Sequence, residues 1–210
     1  MNVDPRDLVD PNRAAQVRVL VMTGYGLNCE AETTHAFAMF GAQVTARHVG
    51  DLLADAEVGR DPLSNVDVLA FIGGFSFGDH VASGRVFANR LAHRLGTSLR
   101  AFVARGGLGI GVCNGFQTMV KLGILPNDGS GSAEAEGAGR GGSPRAFEQT
   151  VTLFANERLG YYDGWVRLLA DEQSPCVWTR GVGLVDVPSR HGEGRLVFSS
   201  ESQRQRLEVN

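Results

Sequence analysis

Short apolar runs, each closed by a glycine-bearing turn, alternate with helix-spaced segments up to Leu122, and this alternation limits what the chain can fold into more than any other feature. Val17 to Met22 (VRVLVM) is a valine-rich run of strand length, and Thr23-Gly24-Tyr25-Gly26 turns the chain at its end. From Cys29 to Phe40, alanine, methionine and phenylalanine recur at helical spacing until Gly41 stops the pattern, and Ala42 to Val49 returns to strand character. Val66 to Ile72 is again apolar and ends in Gly73-Gly74. Val86 to Arg105 reads as a long amphipathic helix ending in Gly106-Gly107, and Leu108 to Val112 is a further apolar run. Parallel strands need a crossover that packs back onto the sheet, so the pattern predicts an α/β domain with a parallel-rich open sheet and helices on both faces. In such sheets the site lies beyond the carboxyl ends of the strands, where the turns at Gly24, Gly73 and Gly111 are expected to converge.

The rest of the chain is less regular. Asn127 to Pro144 is rich in glycine, serine and alanine and reads as a flexible loop rather than a domain linker. Phe147 to Phe154, Trp165 to Leu169 and Gly183 to Val187 have strand character, which suggests a smaller strand section added to the main sheet. The closing SSESQRQRLEVN carries no evident strand or helix. Residues 1–16 form a polar extension with acids and prolines, unlike a targeting leader, and no later segment is long enough to span a bilayer. With 43% hydrophobic and 20% charged content, the 210 residues suit a single globular domain over 17–210.

Composition excludes several roles. With 20 basic against 23 acidic residues the net charge is −3, so there is no basic field for nucleic acid or an anionic membrane. Cys29, Cys113 and Cys176 are an odd number without paired spacing, which argues against a disulfide framework and a zinc site and for the cytoplasm, with no bound metal. Lys121 is the only lysine and no GxxxxGK[ST] loop surrounds it, so no P-loop ATP site is expected and an ATP-driven step would belong to a partner.

The strongest chemical signal is Gly111-Val112-Cys113-Asn114-Gly115, between the apolar run Leu108 to Val112 and the helix-like Phe116 to Leu122. Small residues on either side of a nucleophile at a strand-to-helix junction are what a nucleophile elbow requires, since larger side chains would clash at the bend. A thiol there sits at the positive end of a helix dipole, which favours the thiolate. A buried core cysteine is the bland alternative, and the flanking glycines weigh against it. Acyl transfer also needs donors for the oxyanion: the Asn114 amide is one, and the turn Gly73 to Asp79 offers others at Gly74 or Phe75.

GGFSFGD at Gly73 to Asp79, GVCNGFQ at Gly111 to Gln117, LGILP at Leu122 to Pro126 and HGEGR at His191 to Arg195 together resemble the glutaminase component of phosphoribosylformylglycinamidine synthase. The similarity runs from about Val17 to Arg195, and these motifs in this order are far more specific than GxCxG alone. The resemblance implies a class I glutamine amidotransferase domain of flavodoxin-like architecture. Its Cys113 would attack the carboxamide of glutamine, release ammonia and pass through a glutamyl thioester. It also implies a synthetase large subunit that spends ATP with magnesium, a small bridging subunit, and Gln117 as a contact for the amino acid end of glutamine.

A thiol nucleophile needs a base, and residue order alone would pair His191 with Glu193. The resemblance points elsewhere, because the family carries its histidine and glutamate in a later HPE motif, and no HPE occurs here. Three explanations stay open: a domain cut before its closing strands, a degenerate copy, or recruitment of His191 and Glu193. The first is the expectation, with His191 and Glu193 read as a polar loop at a partner interface. Two further readings compete with a glutaminase: another elbow-cysteine hydrolase, which would carry a histidine soon after Cys113, and a non-catalytic partner of the synthetase.

Overall fold

The computed structural model describes residues 4–126, 147–158 and 160–209, so the expected loop at Asn127 to Pro144 lies outside the described residues. The chain divides into two compact units, Met1–Gln149 and Thr150–Asn210, and the strand section expected after the loop makes up the second.

In the first unit the apolar runs become β1 (Arg18–Thr23), β2 (Gln43–His48), β3 (Val68–Phe71) and β4 (Leu108–Gly111), all parallel, in the order β2-β1-β3-β4. Between and around them lie α1 (Pro11–Ala14), α2 (Glu30–Ala38), α3 (Val49–Glu57), α4 (Arg85–Ala104) and α5 (Asn114–Leu122). From β1 the chain moves outward to β2, then returns past β1 to β3, so the strand order reverses between β1 and β3. In open sheets of this kind such a reversal marks the edge where a site is expected. The β1–β2 crossover runs opposite to the two that follow, and since such connections are right-handed as a rule, α2 falls on one face and α3 and α4, which pack together, on the other.

Because β1 and β3 are covered on both faces, Val19 to Met22 and Val68 to Phe71 are all buried. Leu20, Met22, Leu69 and Phe71 join Leu52 and Leu53 of α3, Leu91, Leu95, Leu99 and Phe102 of α4, and Met119 and Leu122 of α5 in one core. Helix α3 is absent from the sequence reading; its apolar stripe is short, and the signal for it is His48, whose Nδ1 accepts the Gly50 amide at 3.0 Å as a cap. The polar extension is not wholly loose either, since Ala14 of α1 is buried.

In the second unit, β5 (Val151–Phe154) pairs antiparallel with β8 (Arg195–Phe198), and β6 (Tyr162–Leu169) with β7 (Leu184–His191). These strands do not extend the main sheet; they form two two-stranded sheets of their own. Directly opposed partners give the reason for the β6–β7 register: Arg167 meets Asp186 at 2.7 Å and Arg190 meets Asp163 at 2.8 Å. Helix α6 (Glu201–Val209) stands where no element was expected. It lacks an apolar stripe, but Ser200 Oγ accepts the Gln203 amide at 3.2 Å, and Ser200-x-x-Gln203 is a capping-box signal in the sequence.

One clamp ties the start of β1 to the start of β3. Asp67 accepts from the Arg18 amide at 2.8 Å and from its guanidinium Nε and Nη2, each at 2.9 Å. Hydrogen bonding from the Arg18 side chain holds the Asp67 carboxyl below the usual carboxylate range, against a smaller opposing effect of burial. A carboxyl lowered in the folded state stabilises fully above its unfolded pKa of about 3.9 and loses that contribution as the pH falls through the folded value. Asp67→Asn is therefore expected to lower the urea midpoint at pH 7, with the gap from the parent closing below about pH 4; a gap independent of pH would contradict the clamp.

Candidate active site

At the end of β4 the chain bends sharply into α5, and Cys113 occupies the bend with φ 55° and ψ −116°. Left-handed φ at a residue other than glycine costs about 1–2 kcal/mol, so the surroundings must impose it. They do so by close approach. A Cβ at Gly115 would stand 1.9 Å from the carbonyl oxygen of Phe71, and one at Gly111 would stand 2.6 Å from Met119 Sδ and 2.9 Å from the Phe116 amide nitrogen. Only glycine at both positions lets α5 start this close to the end of β3. Backbone bonds hold the bend: Val112 donates to the Phe71 carbonyl at 3.1 Å, Gly115 to Val112 at 2.9 Å and Gln117 to Cys113 at 3.1 Å. Cys113 itself is exposed rather than buried in the core.

The turn after β3 lies directly beside it, with a Cβ placed on Gly73 falling 3.5 Å from Cys113 Cβ. This turn is joined to the turn after β1 through an isolated bridge between Leu27 and Gly74, in which Asn28 donates to the Gly73 carbonyl at 2.9 Å and Phe75 to the Gly26 carbonyl at 2.8 Å. The predicted convergence of the Gly24, Gly73 and Gly111 turns is thus present. One expectation changes: the Phe75 amide is engaged by Gly26 and is no oxyanion donor in this arrangement. Leu27 and Gly74 are the non-hydrogen-bonded pair of the bridge, which leaves the Gly74 amide outside the pairing. The Asn114 amide belongs to the first turn of α5, where helical N–H groups have no intrahelical partner.

Beyond Gly74 the turn is strained, with Phe77, Gly78 and Asp79 at φ 53°, 66° and 51°. Phe77 donates to the Tyr25 carbonyl at 2.7 Å, its ring stacks on Tyr25 at 4.5 Å, and the Arg90 guanidinium lies 5.0 Å from the Tyr25 ring and 5.4 Å from Phe77. The Asn114 side chain, fully buried, reaches from the elbow into this turn. Its Oδ1 accepts the Ser76 amide at 3.3 Å, and its Nδ2 donates to Asp79 Oδ1 at 3.0 Å and to Gln117 Oε1 at 3.3 Å. Gln117 is thereby placed beside the elbow, half-buried, one helical turn after Cys113. Asp79 and Ser76, both within the GGFSFGD motif, were not singled out by residue type alone.

Cys29 begins α2 in a left-handed conformation, φ 69°, and its thiol donates to Asn28 Oδ1 at 3.0 Å. Partial burial of the sulfur pushes this thiol up, with the charges of Glu32, Cys113 and Glu30 adding to the effect. His191 and Glu193 belong to the second unit. Asn156 Nδ2 donates to the carbonyls of Gly160 at 3.1 Å and His191 at 2.9 Å, so its Oδ1 is an acceptor and takes the proton of His191 Nδ1 at 2.9 Å. The His191 ring also stacks on Tyr162 at 5.4 Å. Its Nδ1 is therefore oriented by a carboxamide and not by the carboxylate that a His191–Glu193 pair would supply. Among the described residues no group of three or more His, Cys, Asp or Glu is placed to hold a metal ion, and no helix is long and apolar enough to cross a membrane.

An exposed cysteine on a glycine-flanked bend, beside a second turn whose Gly74 amide lies outside the bridge, has the shape of the elbow in α/β domains. Residues 16–210 match the profile of the CobB/CobQ-like glutamine amidotransferase domain, and the chain belongs to that family. It is 39% identical over 181 residues to phosphoribosylformylglycinamidine synthase subunit PurQ of Methanococcus maripaludis, covering 85% of this chain and 59% of the relative. The subunit of the same name from Dehalococcoides mccartyi is 35% identical over 89% of this chain and 66% of its own length, and that from Archaeoglobus fulgidus 31% identical over 92% and 68%. The chain thus spans about three-fifths of the length of the Methanococcus relative. A chain in the solved structure of PurLQS from Thermotoga maritima shares the fold, with a TM-score of 0.63 at 22% identity over 89% of this chain and 71% of that one.

Gly115→Ala is expected to cost about 3 kcal/mol or more, because the added methyl meets a strand carbonyl and not a movable side chain. A urea midpoint matching the parent would show that α5 does not depend on this contact.

Proposed function

We propose that this chain is the glutaminase part of a phosphoribosylformylglycinamidine synthase, hydrolysing glutamine to glutamate and ammonia. The observation that carries the reading is the placement of Cys113, exposed on its bend and so close to the next turn that a Cβ placed on Gly73 would stand 3.5 Å from its own. The thiolate adds to the carboxamide carbon of glutamine, and the Gly74 and Asn114 amides are the donors assigned to the resulting oxyanion. Collapse of the adduct, with a proton passed from water to the leaving nitrogen, expels ammonia and leaves a γ-glutamyl thioester, which water cleaves to glutamate and the free thiol. Gln117, beside the elbow, is assigned to the amino acid end of the substrate.

Ammonia would then serve a synthetase partner that converts formylglycinamide ribonucleotide to its amidine in purine biosynthesis. ATP and magnesium belong to that partner, and a small bridging subunit completes the assembly. Support for such partners is that the fold neighbour is solved as PurLQS and that the sequence relatives are named as subunits. The three free cysteines suit a cytoplasmic setting. The general base is not assigned, since the family's HPE motif does not occur among the 210 residues and His191 is oriented by Asn156. The competing reading is a domain that binds the synthetase without turning over glutamine.

Glutamate release, measured with and without the synthetase and ATP, separates the two. Activity in the complex that falls at least about 10³-fold in Cys113→Ala supports the glutaminase. A glutamine-mimicking diazoketone should add to Cys113, and labelling that persists unchanged in Cys113→Ala would reject it as the nucleophile.

A further inference from the structure

The two amides assigned to the oxyanion lie on different segments, Gly74 after β3 and Asn114 at the start of α5. Such donors act only when both sit about 2.7–3.1 Å from the same oxygen, so something must hold one segment against the other. The turn bearing Gly74 is bound to the turn after β1, and its own backbone bond, from Gly78 to the Phe75 carbonyl at 2.9 Å, does not reach the elbow. Asp79 supplies a connection that no other side chain of the turn makes in this form. Its Oδ1 accepts from Asn114 Nδ2 at 3.0 Å and from the Gly84 amide at 3.2 Å. Gly84 in turn abuts α5, since a Cβ there would meet the Thr118 amide nitrogen and Oγ1, each at 2.8 Å, and Thr118 Oγ1 donates to the Asn114 carbonyl at 2.8 Å. The contacts close a ring through the turn, the start of α4 and the elbow.

We propose that Asp79 is a positioning residue for the oxyanion site, acting through the buried Asn114 carboxamide to lock the Gly74 turn onto the bend that carries Cys113. The proposal rests on the glutaminase reading. Its logic is local. With its Nδ2 bound to Asp79, the Asn114 carboxamide presents Oδ1 to the Ser76 amide at 3.3 Å. Without Asp79, Nδ2 keeps Gln117 Oε1 at 3.3 Å, an acceptor on α5 itself, so its bond no longer ties the elbow to the turn and the weaker Ser76 contact is left to do so.

Two substitutions separate the hydrogen bond from the backbone. Glycine accepts φ 51° without strain, so Asp79→Gly removes only the acceptor; asparagine also tolerates left-handed φ and keeps a carbonyl oxygen in place. In the complex with the synthetase, kcat for glutamine hydrolysis by Asp79→Gly should fall on the order of 10- to 100-fold while KM stays within about twofold. Alkylation of Cys113 by iodoacetamide, which needs the thiolate but no oxyanion donor, should keep its parental rate. Asp79→Asn should retain kcat within about threefold, because a positioned hydrogen bond and not a charge is required. A parental kcat in Asp79→Gly overturns the proposal, as does an equal loss in Asp79→Asn or a parallel fall of kcat and alkylation, the sign of general unfolding. A parent complex that releases no glutamate overturns the glutaminase reading itself, and this proposal with it.

Discussion

Everything distinctive about the first unit follows from how closely α5 approaches the end of β3. The Phe71 carbonyl occupies the space where any side chain at position 115 would begin, and it also accepts the Val112 amide, so one strand terminus both admits the helix and anchors the bend leading into it. With α5 seated there, the chain has only Val112 and Cys113 in which to turn, and Cys113 takes the positive φ that results. Strain of this kind persists only where the surroundings determine it, and here buried glycine contacts and three backbone hydrogen bonds do so.

The neighbouring turn is constrained by different means. Glycine accounts for Gly74, whose Cβ would meet the Gly26 carbonyl at 2.4 Å, but Phe77 and Asp79 are strained with side chains present. Their compensation is lateral: Phe77 stacks on Tyr25 under the Arg90 guanidinium, and Asp79 binds Asn114. Tyr25 is itself left-handed and packs edge-on against His48, which caps α3. Residues after β1, β2, β3 and β4 therefore form one connected rim at the carboxyl ends of the sheet. A parallel sheet brings these turns to one edge, and the strand-order reversal falls between β1 and β3.

The bend at Cys113 and its surroundings were legible in the residues because elbows have strict local requirements. Gly111, Cys113 and Gly115 at a strand-to-helix junction state a steric demand that hardly depends on distant context. Strands β1 and β3 were legible for a related reason, since burial on both faces leaves continuous apolar runs. Helices α3 and α6 escaped notice because one buries only a short stripe and the other is polar all round, so both depend on caps, at His48 and Ser200, which are weaker signals than periodicity. Phe75 illustrates the limit of motif reading: its place in GGFSFGD offered an amide, and only the bridge to Gly26 reveals that the amide is taken.

By itself the amino-acid sequence determined the alternation of elements, the parallel sheet, the glycine-flanked bend at Cys113 and the family, because each depends on residue types a few positions apart. Tertiary structure alone decided which groups meet across long separations: Asn114 with Ser76 and Asp79, Arg18 with Asp67, and His191 with Asn156. Polar side chains of these kinds have several possible partners of similar strength, and sequence distance does not choose among them. The choice is made when the sheet and its helices pack, since burial leaves a polar group such as the Asn114 carboxamide only the partners within reach.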